Sequence, residues 1–177
     1  MVALYFACEN DAVDGKLFRF EVQTSDIKYF DSDAVSVVSN IAKRPIDFSI
    51  EDLRELDRNE FNSEEEIQYL LHEIKYEKPH FQNVIDSKDI ERVFCVKPMF
   101  DNPRIIRQSG AFFLYGINGN KSQPASLNFS YKVYIINKAQ KRKIRKQLEA
   151  LGIDKSTLFP EVEHVAEHIK DKYHLPK

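Results

Sequence analysis

Four short apolar runs limit the fold of this chain more than any other feature of its sequence. They occupy residues 16–22, 91–97, 111–117 and 127–136. Alternation with period two, or a continuous apolar run of four to eight residues, is typical of a β-strand. The run at 111–117 is apolar on both faces, which predicts a central strand. Asn118-Gly119 follows it and is a turn signal, so we expect a hairpin between the last two strands.

Helical periodicity dominates the segments after these runs. The stretch 138–153 carries Ile144, Leu148 and Leu151 on one stripe, and Gly152 is its stop signal. A last helix is predicted from Pro160, and its apolar face consists of Val162, Val165, Ala166, Ile169 and Tyr173. These patterns predict one α+β domain over residues 1–177, with a small, mostly antiparallel central sheet, flanking helices and two C-terminal helices.

The composition indicates a folded cytoplasmic protein. Hydrophobic residues make up 42% of the chain and charged residues 31%, and the formal net charge is -2. No overall charge therefore draws the chain to nucleic acid or to an anionic membrane. Cys8 and Cys95 lie in apolar stretches, which predicts buried thiols in a reducing compartment.

The first eight residues, MVALYFAC, are apolar but lack the basic lead-in of a signal peptide. A segment of this kind normally lies inside a core. Either it docks against a preformed core, or the chain is the back portion of something larger, which would leave apolar surface exposed and imply low stability or a partner.

The stretch DNPRIIRQSGAFFLYG combines helix signals with polar side chains that suit a binding site. Asn102 is a good N-cap, Pro103 suits the first helical position, and Gly110 suits the residue that ends the helix. Arg104 and Gln108 are able to bind a carboxylate, a phosphate or an amide. The alternative is a solvated arginine and a glutamine that satisfies backbone groups.

Two blocks of the sequence resemble the FRG domain of bacterial and phage proteins. The first block comprises residues 2–7 (VALYFA) and, after a glycine turn, residues 15–22. The second block consists of Arg104, Gln108, Gly110 and Phe112. The tail at 151–173 is also similar to the usual ending of that domain. The resemblance covers nearly the whole chain and implies a bacterial protein from a mobile-element or defence context.

The chain departs from the FRG pattern at its start. In the family, an arginine–glycine motif and a histidine–glycine–x–x–threonine segment precede the block at 2–7; this sequence has neither, and it has no Trp. The resemblance therefore implies the C-terminal portion of the domain, truncated at its N-terminus, which acts by binding and not by catalysis. The implied partner is the missing N-terminal half or a second copy of the chain.

The layout of the FRG domain is also similar to that of ADP-ribosyltransferases, which implies an alternative function as an NAD-using enzyme. Under that resemblance Arg104 would bind an anionic group and Gln108 an amide or a ribose hydroxyl. Phe112 and Tyr5 would line the same pocket. Those enzymes carry a glutamate where this chain has Gly110, two residues after Gln108, which weakens the comparison.

A basic run at residues 138–146 supports a third class of function. Lys141, Arg142 and Arg145 are candidates for contacts with nucleic-acid phosphates, although a solvated helix face is the commoner role of such a run. His164 and His168 have i, i+4 spacing but lack the glutamate of the zinc-protease motif, so no metal site is predicted. No cofactor is predicted apart from NAD under the enzyme alternative.

Overall fold

The structure, a computed structural model, describes residues 1–163, 166, 169 and 170. Over these residues it is the α+β fold that the sequence predicts. The helices are α1 (Val2–Ala7), α2 (Asp33–Asn40), α3 (Arg58–Ser63), α4 (Glu65–Glu77), α5 (Ser87–Ile90), α6 (Pro103–Gln108), α7 (Lys138–Ala150) and α8 (Lys155–Leu158). The strands are β1 (Gly15–Glu21), β2 (Ile27–Tyr29), β3 (Val93–Lys97), β4 (Phe112–Tyr115), β5 (Ile117–Asn118), β6 (Asn120–Pro124) and β7 (Ser130–Ile136). None of these helices is long and apolar enough to span a membrane.

The chain divides into two compact units. The first unit comprises Met1–Glu21, Phe100–Gly110 and the described part of Ser130–Lys177, and the second comprises Val22–Met99 and Ala111–Phe129. The prediction of one central sheet from all four apolar runs is wrong. β1 pairs with β7 in one sheet, and β3 pairs with β2 and β4 in another.

The second unit holds a hydrophobic core. Its three-stranded sheet has the order β2-β3-β4, in which β2 is parallel and β4 antiparallel to β3. α4 buries Ile67, Leu70, Leu71 and Ile74. These residues have the i, i+3, i+4, i+7 spacing of one helix face. They pack with apolar residues of α2, β3 and the intervening loops in a single cluster.

The run at 111–117 does not form a central strand. β4 lies at one end of its sheet, and Phe112 and Tyr115 are exposed there. The predicted turn at Asn118-Gly119 is present, since Gly119 has a φ of 79°. It joins β5 to β6, however, and not β4 to β7. The expected hairpin between the last two long strands is therefore wrong.

The first unit buries little apolar surface. Its two-stranded antiparallel sheet runs in register from Gly15 opposite Ile136 to Glu21 opposite Ser130. Its buried apolar side chains, among the described residues, are Cys8, Ile136, Leu148 and Leu158. α1 contains no buried residue, so within the apolar opening segment only Cys8 lies in the core.

Local signals at the helix ends in this unit are mostly correct. The Asn102 side chain accepts a 2.9 Å hydrogen bond from the backbone N–H of Arg104, as expected of an N-cap. The left-handed residue at the end of α6 is Ser109, with a φ of 50°, and not Gly110. α7 ends just before Gly152, as predicted. The last predicted helix cannot be compared in full, because its residues Val165 and Tyr173 lie outside the described residues.

Candidate interaction surface

The sheet of β1 and β7 carries five apolar side chains and Lys16 on one face. Successive side chains of a strand point to opposite faces of a sheet. Register pairs Phe18 with Val133 and Phe20 with Tyr131, so all four side chains share one face. Ile135, opposite Lys16, extends this face towards the start of β1. We call these five apolar residues, Phe18, Phe20, Tyr131, Val133 and Ile135, the aromatic face.

The aromatic face is preorganised by contacts between its own rings. The ring centroids of Phe18 and Tyr131 are 5.9 Å apart, and those of Phe20 and Tyr131 are 5.7 Å apart. Exposure is nevertheless high, at 50% for Phe18, 58% for Tyr131 and 61% for Ile135. A contiguous apolar patch of this kind marks an interaction site on a folded protein.

β7 is also an edge strand with little protection against pairing. Six of its seven residues are exposed, and Lys132 is its one charged residue. Within the described residues its sheet has only two strands, so one edge of β7 pairs with no other described strand. Natural edge strands are usually short or carry charges that prevent pairing with another chain. In β7, Lys132 alone provides such a charge.

The opposite face of this sheet packs against other elements of its unit near Gly15. A Cβ atom placed on Gly15 would lie 2.1 Å from the carbonyl oxygen of Ala7 and 3.2 Å from Cε of Lys141. α1 and α7 therefore approach this end of β1 closely. Farther along this face, Arg19 and Glu21 form an exposed ion pair at 3.8 Å.

The structure places three of the four predicted ligand-binding residues in the first unit. Tyr5 lies in α1 and contacts Phe6, whose ring meets that of Phe159 at a centroid distance of 5.9 Å. The guanidinium of Arg104 lies 4.9 Å from the centroid of the same Phe159 ring. Burial, followed by the nearby Glu9 carboxylate, raises the pKa of the Tyr5 hydroxyl. Tyr5 and Arg104 are thus connected through two phenylalanines.

Contacts with α8 and the residues after it occupy the polar groups of α6. The guanidinium of Arg104 is 3.9 Å from the Glu161 carboxylate, and Gln108 Nε2 donates a 3.2 Å hydrogen bond to the carbonyl oxygen of Leu158. The fourth candidate, Phe112, belongs to the second unit, where it lies in β4 opposite Val96. The contacts of Arg104 and Gln108 are those of residues that hold α6 against α8.

The three predicted nucleic-acid residues do not share one exposed face of α7. Lys141 is 1% exposed, which corrects its assignment to the helix surface, and its Nζ donates a 2.7 Å hydrogen bond to the carbonyl oxygen of Asn10. Arg145 donates hydrogen bonds of 2.6 and 2.7 Å to the two carboxylate oxygens of Asp11 and a further one to the carbonyl oxygen of Cys8. Only the side chain of Arg142 points outward, with 84% of its surface exposed.

One polar cleft in the second unit has a volume of about 520 Å³ and is lined by residues of α3, by Gln68 and by residues 82–84. One lining residue, Asn62, is buried and exchanges hydrogen bonds of 2.7 and 2.9 Å with the backbone of Ile85. Its amide therefore holds the loop in place and is not available to a ligand. The sequence reasoning did not find this cleft, because its lining comes from separate segments without a local motif.

A second cleft in this unit has a volume of about 190 Å³ and lies beside a cluster of acidic and basic side chains. Arg92 forms an ion pair with Asp26 and a second one, at 3.7 Å, with Asp89. Burial, followed by repulsion from Asp86, raises the pKa of the Asp89 carboxyl. No group of three or more metal-ligating side chains occurs within the described residues, and the His164 and His168 pair lies outside them.

Comparison with protein families, with curated proteins and with solved structures finds no match to this chain. The candidate surface is therefore defined by its own geometry.

Proposed function

We propose that this chain is a binding module that assembles with a second copy of itself along the free edge of β7. One observation carries the proposal: β7 is a long, apolar and exposed strand, and one of its edges pairs with no other strand in the described part of the chain. The resemblance to the C-terminal portion of FRG domains supports a binding role and a mobile-element or defence context. An isolated two-stranded sheet is only marginally stable, so further strands would also stabilise the first unit.

The sequence of β7 suits antiparallel pairing with itself. In a pair of β7 strands related by a two-fold axis at Val133, Val133 faces its own copy. Tyr131 then faces Ile135, and Lys132 faces Tyr134. Aromatic and β-branched residues on opposite strands stabilise a sheet by about 0.2–1 kcal/mol for each pair. No like charges are opposed, and the result is a four-stranded sheet with a doubled aromatic face.

The free edge of β1 is a poorer candidate for the same contact. β1 carries Lys16, Arg19 and Glu21 within seven residues, whereas β7 carries Lys132 alone. Charges on an edge strand oppose pairing with another chain. The difference in charge therefore favours the β7 edge.

Val133 provides the test, because a residue on the two-fold axis meets its own copy. We expect sedimentation equilibrium of the purified chain to give a dimer, and Val133→Lys to give a monomer because two lysines would oppose each other. Val133→Glu is expected to behave in the same way, and Val133→Thr to remain dimeric. An equimolar mixture of the lysine and glutamate variants is expected to form a heterodimer.

Circular dichroism of each variant verifies that the monomers are folded. A wild-type chain that stays monomeric at high concentration would overturn the proposal. So would a dimer that Val133→Lys leaves intact, since the contact would then lie elsewhere. Failure of the two charged variants to associate would exclude the two-fold axis at Val133.

A further inference from the structure

The outward face of α7 is a separate basic surface in the first unit. α7 turns Lys141 and Leu148 into the unit and leaves Arg142, Lys143 and Lys146 exposed. We propose that these three cations bind the phosphate backbone of a nucleic acid. This surface differs from the one that the sequence suggested, because Lys141 and Arg145 are replaced by Lys143 and Lys146.

The exposed cations lie close together on the helix. Arg142 and Lys146 are four residues apart and therefore lie on one side of α7, separated by about 6 Å along its axis. Lys143 lies beside them on the next row. They line a shallow cleft of about 620 Å³, whose remaining walls include Ala139 and Ala150. The small alanine side chains at its two ends leave room for a linear ligand to lie along the cations.

The cations of this face are largely unpaired. Within the described part of the chain, Lys143 and Lys146 form no ion pair. Arg142 has a single weak contact, 3.6 Å from the Asp11 carboxylate. Because 84% of the Arg142 side-chain surface is exposed, its guanidinium remains available to an external anion.

The same helix is poorly suited to a membrane surface. A helix that binds the bilayer interface buries large apolar side chains in the lipid. In α7 the large apolar residue Leu148 is buried inside the unit and Ile144 is half-buried, and the outward face carries alanines. A polyanion that needs charge but no apolar insertion fits this face better.

The test uses fluorescence anisotropy with a labelled 20-nucleotide single strand and a labelled 20-base-pair duplex, between 50 and 200 mM salt. Neutralising three phosphates of a duplex gives a slope of about -3 in the plot of log K against log salt. We expect that slope for the wild-type chain. For Lys143→Gln combined with Lys146→Gln we expect a slope of about -1, and an affinity at 50 mM salt that is at least about tenfold lower.

A matched control removes two positive charges from the second unit instead. Arg58→Gln combined with Lys88→Gln also lowers the net charge by two, and we expect it to leave the slope and affinity unchanged. An equal loss in this control would overturn the proposal, since binding would then follow net charge alone. No binding of either nucleic acid at 50 mM salt would also overturn it. Binding to phosphatidylserine vesicles but to neither nucleic acid would identify a membrane surface instead.

Discussion

The ammonium group of Lys141 lies 2.7 Å from the carbonyl oxygen of Asn10, in the interior of the first unit. This bond connects α7 to the loop between α1 and β1. Lys141 occupies the helical stripe that also holds Leu148, so its aliphatic stem packs where an apolar residue would be expected. A buried ammonium needs a hydrogen-bond acceptor, and the Asn10 carbonyl supplies one.

Replacing Lys141 is expected to destabilise the fold and not only to remove a surface charge. Lys141→Ala loses both the packing of the stem and the bond to Asn10, which we expect to cost about 2–4 kcal/mol in the free energy of unfolding. Lys141→Met keeps most of the packing, so a smaller loss is expected. Urea denaturation measures both. The control is Lys143→Ala on the exposed face, expected within about 0.5 kcal/mol of wild type; equal effects of the two alanine variants would contradict the prediction.

Gly15 is expected to tolerate no side chain. An alanine Cβ there would lie 2.1 Å from the Ala7 carbonyl oxygen and 3.1 Å from its carbon, so backbone would have to move. Overpacking of this kind costs about 1–3 kcal/mol or more. Gly110→Ala is the matched control, because its nearest contact would be the methyl group of Ile105 at 3.4 Å. Thermal melts should show a large loss for Gly15→Ala and little change for Gly110→Ala. The reverse order would refute the close approach of α1 to β1.

Local patterns in the sequence predicted the elements of this fold better than their pairing. The strand predicted at 16–22 and the helix predicted at 138–153 follow from the periodicity of a few neighbouring residues. β1 and β7 are separated by more than a hundred residues, and no short-range signal shows that they pair. The Asn118-Gly119 signal located a turn correctly, but it could not show that this turn joins the short strands β5 and β6 and not the two long strands.

The candidate surfaces were likewise predictable only in part, because a local pattern does not show which side chains are buried. Charge counting along 138–146 found a basic helix, but the inward face of a helix is set by packing. Lys141 lies on the buried stripe with Leu148, whereas Leu151, which was predicted to lie there, is exposed. Here tertiary packing overrode a local preference. Ser109 adopts the left-handed conformation that residue preference assigned to Gly110.

The pair formed by Asp11 and Arg145 is expected to make stability depend on pH. The hydrogen bonds from Arg145, aided by its charge, hold the pKa of the Asp11 carboxyl below its ordinary value. The folded state therefore keeps this carboxylate ionised at a pH where the unfolded chain already binds a proton. Its contribution to stability is complete above the ordinary pKa of about 4 and is lost as the pH falls through the lower pKa of the folded state.

Asp11→Asn tests this dependence. The difference in unfolding free energy between wild type and variant should be constant from pH 7 to pH 5 and should shrink below about pH 4, towards the lower pKa of the folded state. Urea denaturation at each pH measures it. In an Arg145→Met background the same Asp11→Asn change should show a smaller decline, because the main group that lowers the pKa has been removed and only Arg142 remains beside the carboxylate. A difference that persists unchanged at pH 2.5 would mean that Asp11 acts through packing or neutral hydrogen bonds, and that its charge contributes nothing to the link between α7 and the loop before β1.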